Sequence, residues 1–309
     1  MSSCKPVSTP SLAVIEADLA ARRVADGQWL MIGGGVLLGT IGIFVEEAGT
    51  DPVSTVWFRC LFGLLALLAW GAARGTLGSL TGLRGRALGA VVAVGLLTLL
   101  NWGLFFAAIP LSSISVSTLV FHVQPFWLMA LGAWWLHERV TRMQWIAAAV
   151  ALLGLGLATG LLESGLVDVS GRSLLGVGLC LIGSMTYALS GLITKIAAPR
   201  VGSFALAAGQ CVVGVVVLAF WPVVHGLPAS GASWTWLAGL GVLHTGLAYV
   251  VLYAGMARLG TGRIALLQFV YPGTAVVVDW LVYGKALSPL QMAGVALMGG
   301  ALWALRREG

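Results

Sequence analysis

Two formal charges stand well inside long apolar stretches of this 309-residue chain: Arg59 and Asp279. An ionised group in such a run is costly unless it is paired or acts on something that passes, so each is a functional candidate by position alone. Counted from one end of their stretches, both lie about six residues in, roughly 9 Å at the helical rise. Equal depth and opposite sign predict that they bridge near one mouth of a bundle, as a latch or gate.

The uncharged polar residues in similar stretches form a second group. Asn101 is the only Asn in the chain. Its amide offers donors and an acceptor, which suits the ammonium or carboxylate of an amino acid and equally suits a clamp onto a neighbouring carbonyl. Trp102 lies beside it and Phe105 one turn on, where an aromatic wall beside an amide fits an aromatic cargo or plain packing. His122 and Gln124 precede Pro125, and Gln268 and Tyr271 precede Pro272. Proline removes a backbone donor and frees a carbonyl about one turn earlier, near Phe121 in the first case. Such a gap is tolerated at membrane depth where it lines a cavity or is satisfied by neighbours. Tyr187 and His244 also fall mid-stretch; the histidine reads either as a satisfied core residue or as a pH sensor.

Enzyme chemistry finds no support. HExxH, GxSxG and any carboxylate cluster are missing. Cys4, Cys60, Cys180 and Cys211 are too scattered for a metal site or a disulfide framework. No cofactor and no metal is expected.

The elements that must carry these residues are apolar and long. Ten stretches have about the length that a bilayer core needs: 29–46, 53–72, 87–108, 114–135, 143–160, 173–195, 202–221, 234–255, 263–283 and 289–305. Charged residues make up 9% of the chain and the mean hydropathy is +0.98, against roughly 25% charged in soluble domains. The expectation is an all-α integral membrane protein of ten transmembrane helices. Fourteen of its 17 Lys and Arg residues fall on alternate connections, leaving Arg172 and Lys285 on the opposite ones and Arg59 within a stretch. By the positive-inside rule both termini are cytoplasmic and the protein is multi-pass in the cell inner (plasma) membrane. The net charge of +6 belongs to this topology and faces lipid headgroups; no basic patch suggests nucleic acid.

Residues 1–28 read as a cytoplasmic N-terminal segment without a cleavable signal, with a short amphipathic helix over 14–24 on the inner surface. The connections are short, which leaves no room for a soluble domain and puts function within the helices or at their mouths. Many of the 43 glycines lie inside the stretches, where small residues let helices approach closely.

Residues 101–158 overlay 248–305 with a constant shift of 147. Pro125 then falls on Pro272, Gln144 on Gln291 and Glu138 on Lys285. A half built of five helices re-enters from the other side, so the duplication predicts inverted repeats over 29–160 and 173–305, joined by an outer loop at 161–172 and ending in a cytoplasmic tail at 306–309. Under strict symmetry Phe121 pairs with Gln268 and Gln124 with Tyr271, so His122 and Gln268 do not both face the centre; Gln268 is the favoured one.

Pro52 followed by Arg59, Pro125, the helix-end Glu138, Gln144 with a Gly-rich fifth helix, and the echo in Pro272 and Gln291 resemble the drug/metabolite transporter superfamily in its ten-helix EamA-type branch. The resemblance covers about 30–305 and is strongest to the YddG-like exporters of aromatic amino acids. It departs from them at Leu38-Gly39, where relatives carry Trp-Gly, and at Lys285, where a Glu is usual. What the resemblance implies is a transporter, not an enzyme, that exports amino acids or similar small metabolites by alternating access. The alternatives are other neutral or amphipathic compounds, a channel, or a membrane-embedded enzyme. Its partners are a small-molecule substrate and the lipid bilayer; the oligomeric state, a monomer among the options, stays open. Asn101, Trp102, Phe105, His122, Gln124, Tyr187, His244, Gln268 and Tyr271 are the candidate substrate contacts, and Arg59 with Asp279 the candidate gate.

Overall fold

The computed structural model describes residues 12–161, 171–228, 231–284 and 286–304. Lys285, the N-terminal residues up to 11, most of the connection at 161–172 and the tail at 306–309 lie outside the described residues. Among those described there is no strand, and ten apolar helical segments coincide one for one with the ten stretches. They are α1 (Leu12–Gly39, continued as Ile41–Ala48), α2 (Pro52–Arg74), α3 (Gly85–Ala108), α4 (Ile114–Phe121 and Gln124–Trp135), α5 (Arg142–Ala158), α6 (Gly171–Val201), α7 (Ser203–Val217), α8 (Gly231–Met256), α9 (Thr261–Leu267 and Val270–Tyr283) and α10 (Pro289–Ala304).

Seven of these segments are long and apolar enough to cross a membrane, while α5, α7 and α10 are shorter apolar helices. Their outward faces are apolar as well: Leu65, Leu153, Ile182, Val216 and Leu281 are all exposed. A soluble protein hides such a surface and a bilayer covers it, so this is an all-α membrane protein.

Helix starts follow from local chemistry. Asp51 caps α2 by accepting from the backbone N–H groups of Val53 and Ser54, with Pro52 in the first turn. Thr141 and Gln144 form a reciprocal capping box at α5: each accepts from the other's backbone N–H, at 3.1 and 3.2 Å. Ser288 and Gln291 make the same pair at α10, at 3.0 and 3.1 Å. The shift of 147 maps Thr141 onto Ser288 and Gln144 onto Gln291, so the repeated glutamine marks a repeated helix start.

The 14–24 region forms the first turns of α1 itself rather than a separate surface helix. Nothing in Leu12–Gly27 breaks a helix, and an i,i+4 pair of Asp18 with Arg22 at 2.9 Å supports it. Basic connections gather at one end of the bundle. There Gly27 packs on Arg258 and Leu259, Gly71 on Leu77 and Phe204, and Glu138 meets Lys195. Asp51 and Trp221 meet at the other end.

A backbone-to-backbone seam joins α5 to α10. A Cβ added to Gly294 would stand 2.5 Å from both the Gly154 carbonyl oxygen and the Ala158 nitrogen, which are backbone atoms that cannot turn aside. Gly294→Val is therefore expected to destabilise the protein by at least about 1–3 kcal/mol through overpacking. Thermal unfolding in detergent checks this; an unchanged midpoint would mean that the seam is looser than described.

Candidate functional site

The two proline-linked breaks meet at mid-bundle. α4 is interrupted over His122–Val123 and α9 over Gln268–Phe269, and across them the Gln124 Nε2 donates to the Gln268 Oε1. The His122 Nδ1 lies 2.6 Å from the Thr118 carbonyl oxygen, so Nδ1 carries the proton and Nε2 is left as an acceptor. The His122 ring stacks on Tyr271 at 6.1 Å and faces Phe269 at 6.3 Å. All four polar candidates around the prolines thus share one interface. The second break falls one residue earlier in the 147 register, so His122 and Gln268 meet the same interface without obeying strict symmetry.

Aromatic rings extend the cluster. Phe105 contacts Phe121 edge-on at 5.1 Å, Phe121 contacts Tyr187 at 5.8 Å, and Trp102 contacts Tyr249 at 6.5 Å. Tyr187 and Tyr249 also line a remnant cavity of about 10 Å³ with Thr98, Ser190 and Tyr253. That space is about one water in size.

Arg59 points into the same region. Its Nε donates to the Thr245 Oγ1 at 2.9 Å and its guanidinium carbon lies 4.4 Å from the centre of the Trp102 ring. Thr245 belongs to a π-helical stretch of α8, Leu240–Leu247, that packs Gly241 against Phe62, Gly63 and the Arg59 carbonyl. The expected bridge from Arg59 to Asp279 is not formed. The ion pairs among the described residues are Asp18–Arg22 and Glu138–Lys195. The wider turn at Leu240–Leu247 brings Thr245 to Arg59 instead, while Asp279 sits half-buried on α9.

Two candidates are placed elsewhere. Asn101 is fully buried in the seam with α6, its Nδ2 donating to the Gly183 carbonyl at 3.0 Å. His244 contacts the break in α1: its Nε2 lies 2.8 Å from the Thr40 Oγ1, and its ring meets Phe44 at 4.5 Å. The same Thr40 hydroxyl lies 2.8 Å from the Leu37 carbonyl oxygen.

The basic end holds an arrangement that spacing alone did not reveal. Glu138, just past α4, pairs with Lys195 of α6 and accepts from the Thr261 backbone N–H at 2.7 Å and its hydroxyl at 2.8 Å. Thr261 is the first residue of α9, so one carboxylate ties three helices. His137 turns the chain toward it with φ of 55°, the sole non-glycine residue with positive φ among those described. Partial burial alone would raise the Glu138 pKa, but Lys195 and Thr261 outweigh that and hold it below its ordinary value. Beside this clamp is a cavity of about 560 Å³ lined by Glu138, Arg139, Gln144, Thr261 and Arg263. It opens at the basic mouth, away from the mid-bundle cluster. The signal available in the sequence was Glu138 and Lys195 as charges at helix ends on the same side.

Comparison with known proteins gives a family. The model of the EamA-like transporter family matches twice, over residues 26–160 and 174–307. The "Uncharacterized transporter YxxF" of Bacillus subtilis (strain 168) is 26% identical over 281 residues, 89% of this chain and 88% of that protein. An "Uncharacterized transporter" of Archaeoglobus fulgidus is 24% identical over 91% of this chain and 96% of its own. "Protein RarD" of Streptomyces exfoliatus is 29% identical over 80% of this chain and 75% of its own. A solved crystal structure superposes with a TM-score of 0.76 over 89% of this chain and 95% of that one; at 20% identity the likeness is one of fold.

Proposed function

The chain belongs to the EamA-like transporter family, and we propose that within it this member exports amino acids, aromatic and other neutral ones, or similar small metabolites. It is a multi-pass membrane transporter of small molecules by family; the cargo, the side and the mechanism are our reading. The observation that carries the cargo reading is the Gln124–Gln268 hydrogen bond across the two breaks, beside His122, whose ring contacts Phe121, Phe269 and Tyr271. Amide groups among aromatic rings suit a molecule with a polar head and an apolar body.

Two family matches in one chain, equivalent capping boxes and breaks before Pro125 and Pro272 support two inverted five-helix halves that rock about this centre. The positive-inside bias supports a cytoplasmic basic end in the inner membrane, with both termini on that side. In that frame the Glu138 clamp closes the cytoplasmic mouth.

Counterflow in proteoliposomes tests the reading. Vesicles are preloaded with unlabelled tryptophan, phenylalanine, methionine or threonine, and label is added outside. Transient uphill accumulation is expected, weakened in Gln268→Ala. Absence of accumulation for every amino acid, from folded protein, would turn the search to other neutral or amphipathic compounds.

A further inference from the structure

Arg59 is 6% exposed, yet among the described residues no carboxylate lies within ion-pairing distance of it. A guanidinium has five N–H donors in a planar fork. Nε is used on Thr245, and the four terminal N–H groups donate to no protein group among the described residues. One neutral hydrogen bond and the face of Trp102 do not balance a buried charge, which ordinarily needs a hydrogen-bonded counter-ion. Asp279, the other formal charge well inside the spans, forms no ion pair with the guanidinium.

We propose that the missing counter-ion is the cargo: Arg59 is the anchor for a carboxylate carried on an apolar or aromatic body. The inference rests on the carrier reading above and narrows its substrate class. Two features of the geometry favour this cargo. Thr245 holds the Nε side and Trp102 covers one face, which leaves the terminal nitrogens free for the bidentate contact that a carboxylate accepts. Trp102, under the guanidinium, contacts Tyr249 at 6.5 Å, so aromatic rings lie beside the charge for an apolar or aromatic body. An organic cation would meet like charge at the same place. Thr245 acts through Arg59 as a positioning residue.

Counterflow and thermal-shift measurements use matched sets on three bodies, those of phenylalanine, leucine and methionine. Each set holds the amino acid, its deaminated acid, its methyl ester and its decarboxylated amine. The free acids are expected to exchange and to stabilise the wild-type protein, with esters and amines weaker by about 30-fold or more, the usual loss when a buried charge contact is left half-made. Arg59→Gln is expected to lose this preference; Arg59→Lys keeps it at a higher half-saturating concentration, and Thr245→Val raises that concentration without changing which compounds are accepted. The comparison within the wild type needs no variant to fold. Esters or amines that exchange as well as the acids would overturn the anchor and leave the carrier reading standing. No saturable exchange of any compound in the sets would overturn both.

Discussion

Glu138→Gln is expected to loosen the basic mouth and slow transport together. In the native chain one carboxylate holds Lys195 of α6 and the start of α9 at Thr261, which ties α4 to two helices of the other half. The amide keeps an oxygen for Thr261 but gives Lys195, with a side chain only 16% exposed, no countercharge. A hydrogen bond to a charged group contributes about 1.5–3 kcal/mol, roughly a ten- to hundredfold change in the ratio of closed to open mouth. The readout is labelling of Gly260→Cys by a membrane-impermeant maleimide. A Cβ there has its nearest neighbour, the Glu138 Oε2, at 3.6 Å, and Cys60, Cys180 and Cys211 are buried; Cys4→Ser removes the other thiol. Gly260 is exposed, so the label reaches it in the parent as well; its rate should rise in Glu138→Gln, and adding Lys195→Gln should bring part of that rise back, because the stranded charge is then gone as well. Equal labelling in all three proteins would mean that the mouth is held by packing alone.

The same carboxylate sets a pH dependence whose sign is fixed. Glu138 has its pKa lowered in the folded protein, so its contribution is complete above the ordinary glutamate value of about 4.3 and is lost as pH falls through the lowered one. Labelling at position 260, taken at each pH relative to the same cysteine in the Glu138→Gln protein so that the thiolate fraction cancels, should therefore stay flat as pH falls from neutrality toward about 5, the clamp weakening only at more acid pH. A rise already between pH 7 and 6 would assign control to another group.

The helices were legible in the sequence because span length and apolarity are local properties, and the ten segments follow them closely. The register of 147 was legible for a physical reason too: Gln144 and Gln291 recur because each closes a capping box with the hydroxyl residue three before it. What could not be read off are contacts between residues far apart in the chain whose partner depends on helix rotation. Arg59 and Asp279 matched in depth and sign, but depth says nothing of azimuth, and a π-helical stretch with no marker in its composition carries Thr245 to Arg59 instead. The two breaks are also offset by one residue in that register, a departure from strict symmetry that residue spacing does not announce. Asn101 left two roles open in the sequence; the carbonyl that its amide reaches in the structure, that of Gly183, is the clamp that was one of them.

Gln124 and Gln268 then allow a separation of packing from transport at the centre. Gln124 is 2% exposed, and it donates to Gln268 across the breaks in α4 and α9. Gln124→Leu removes the donor from the half-buried Gln268 oxygen, which should lower stability by about 0.5–1.5 kcal/mol. Changing both to Leu removes the unmatched groups together, and stability is expected to recover most of that loss, giving a coupling of about 0.5–3 kcal/mol in the double-mutant cycle. Counterflow should behave differently. If the amides meet the polar head of the cargo, the Leu/Leu protein is as stable as the parent and still fails to exchange, since two apolar side chains cannot replace the hydrogen bonds that a bound carboxylate or ammonium makes. A Leu/Leu protein that exchanges like the parent would make the pair a packing device between the halves, and the polar contacts to the cargo would then fall to Arg59.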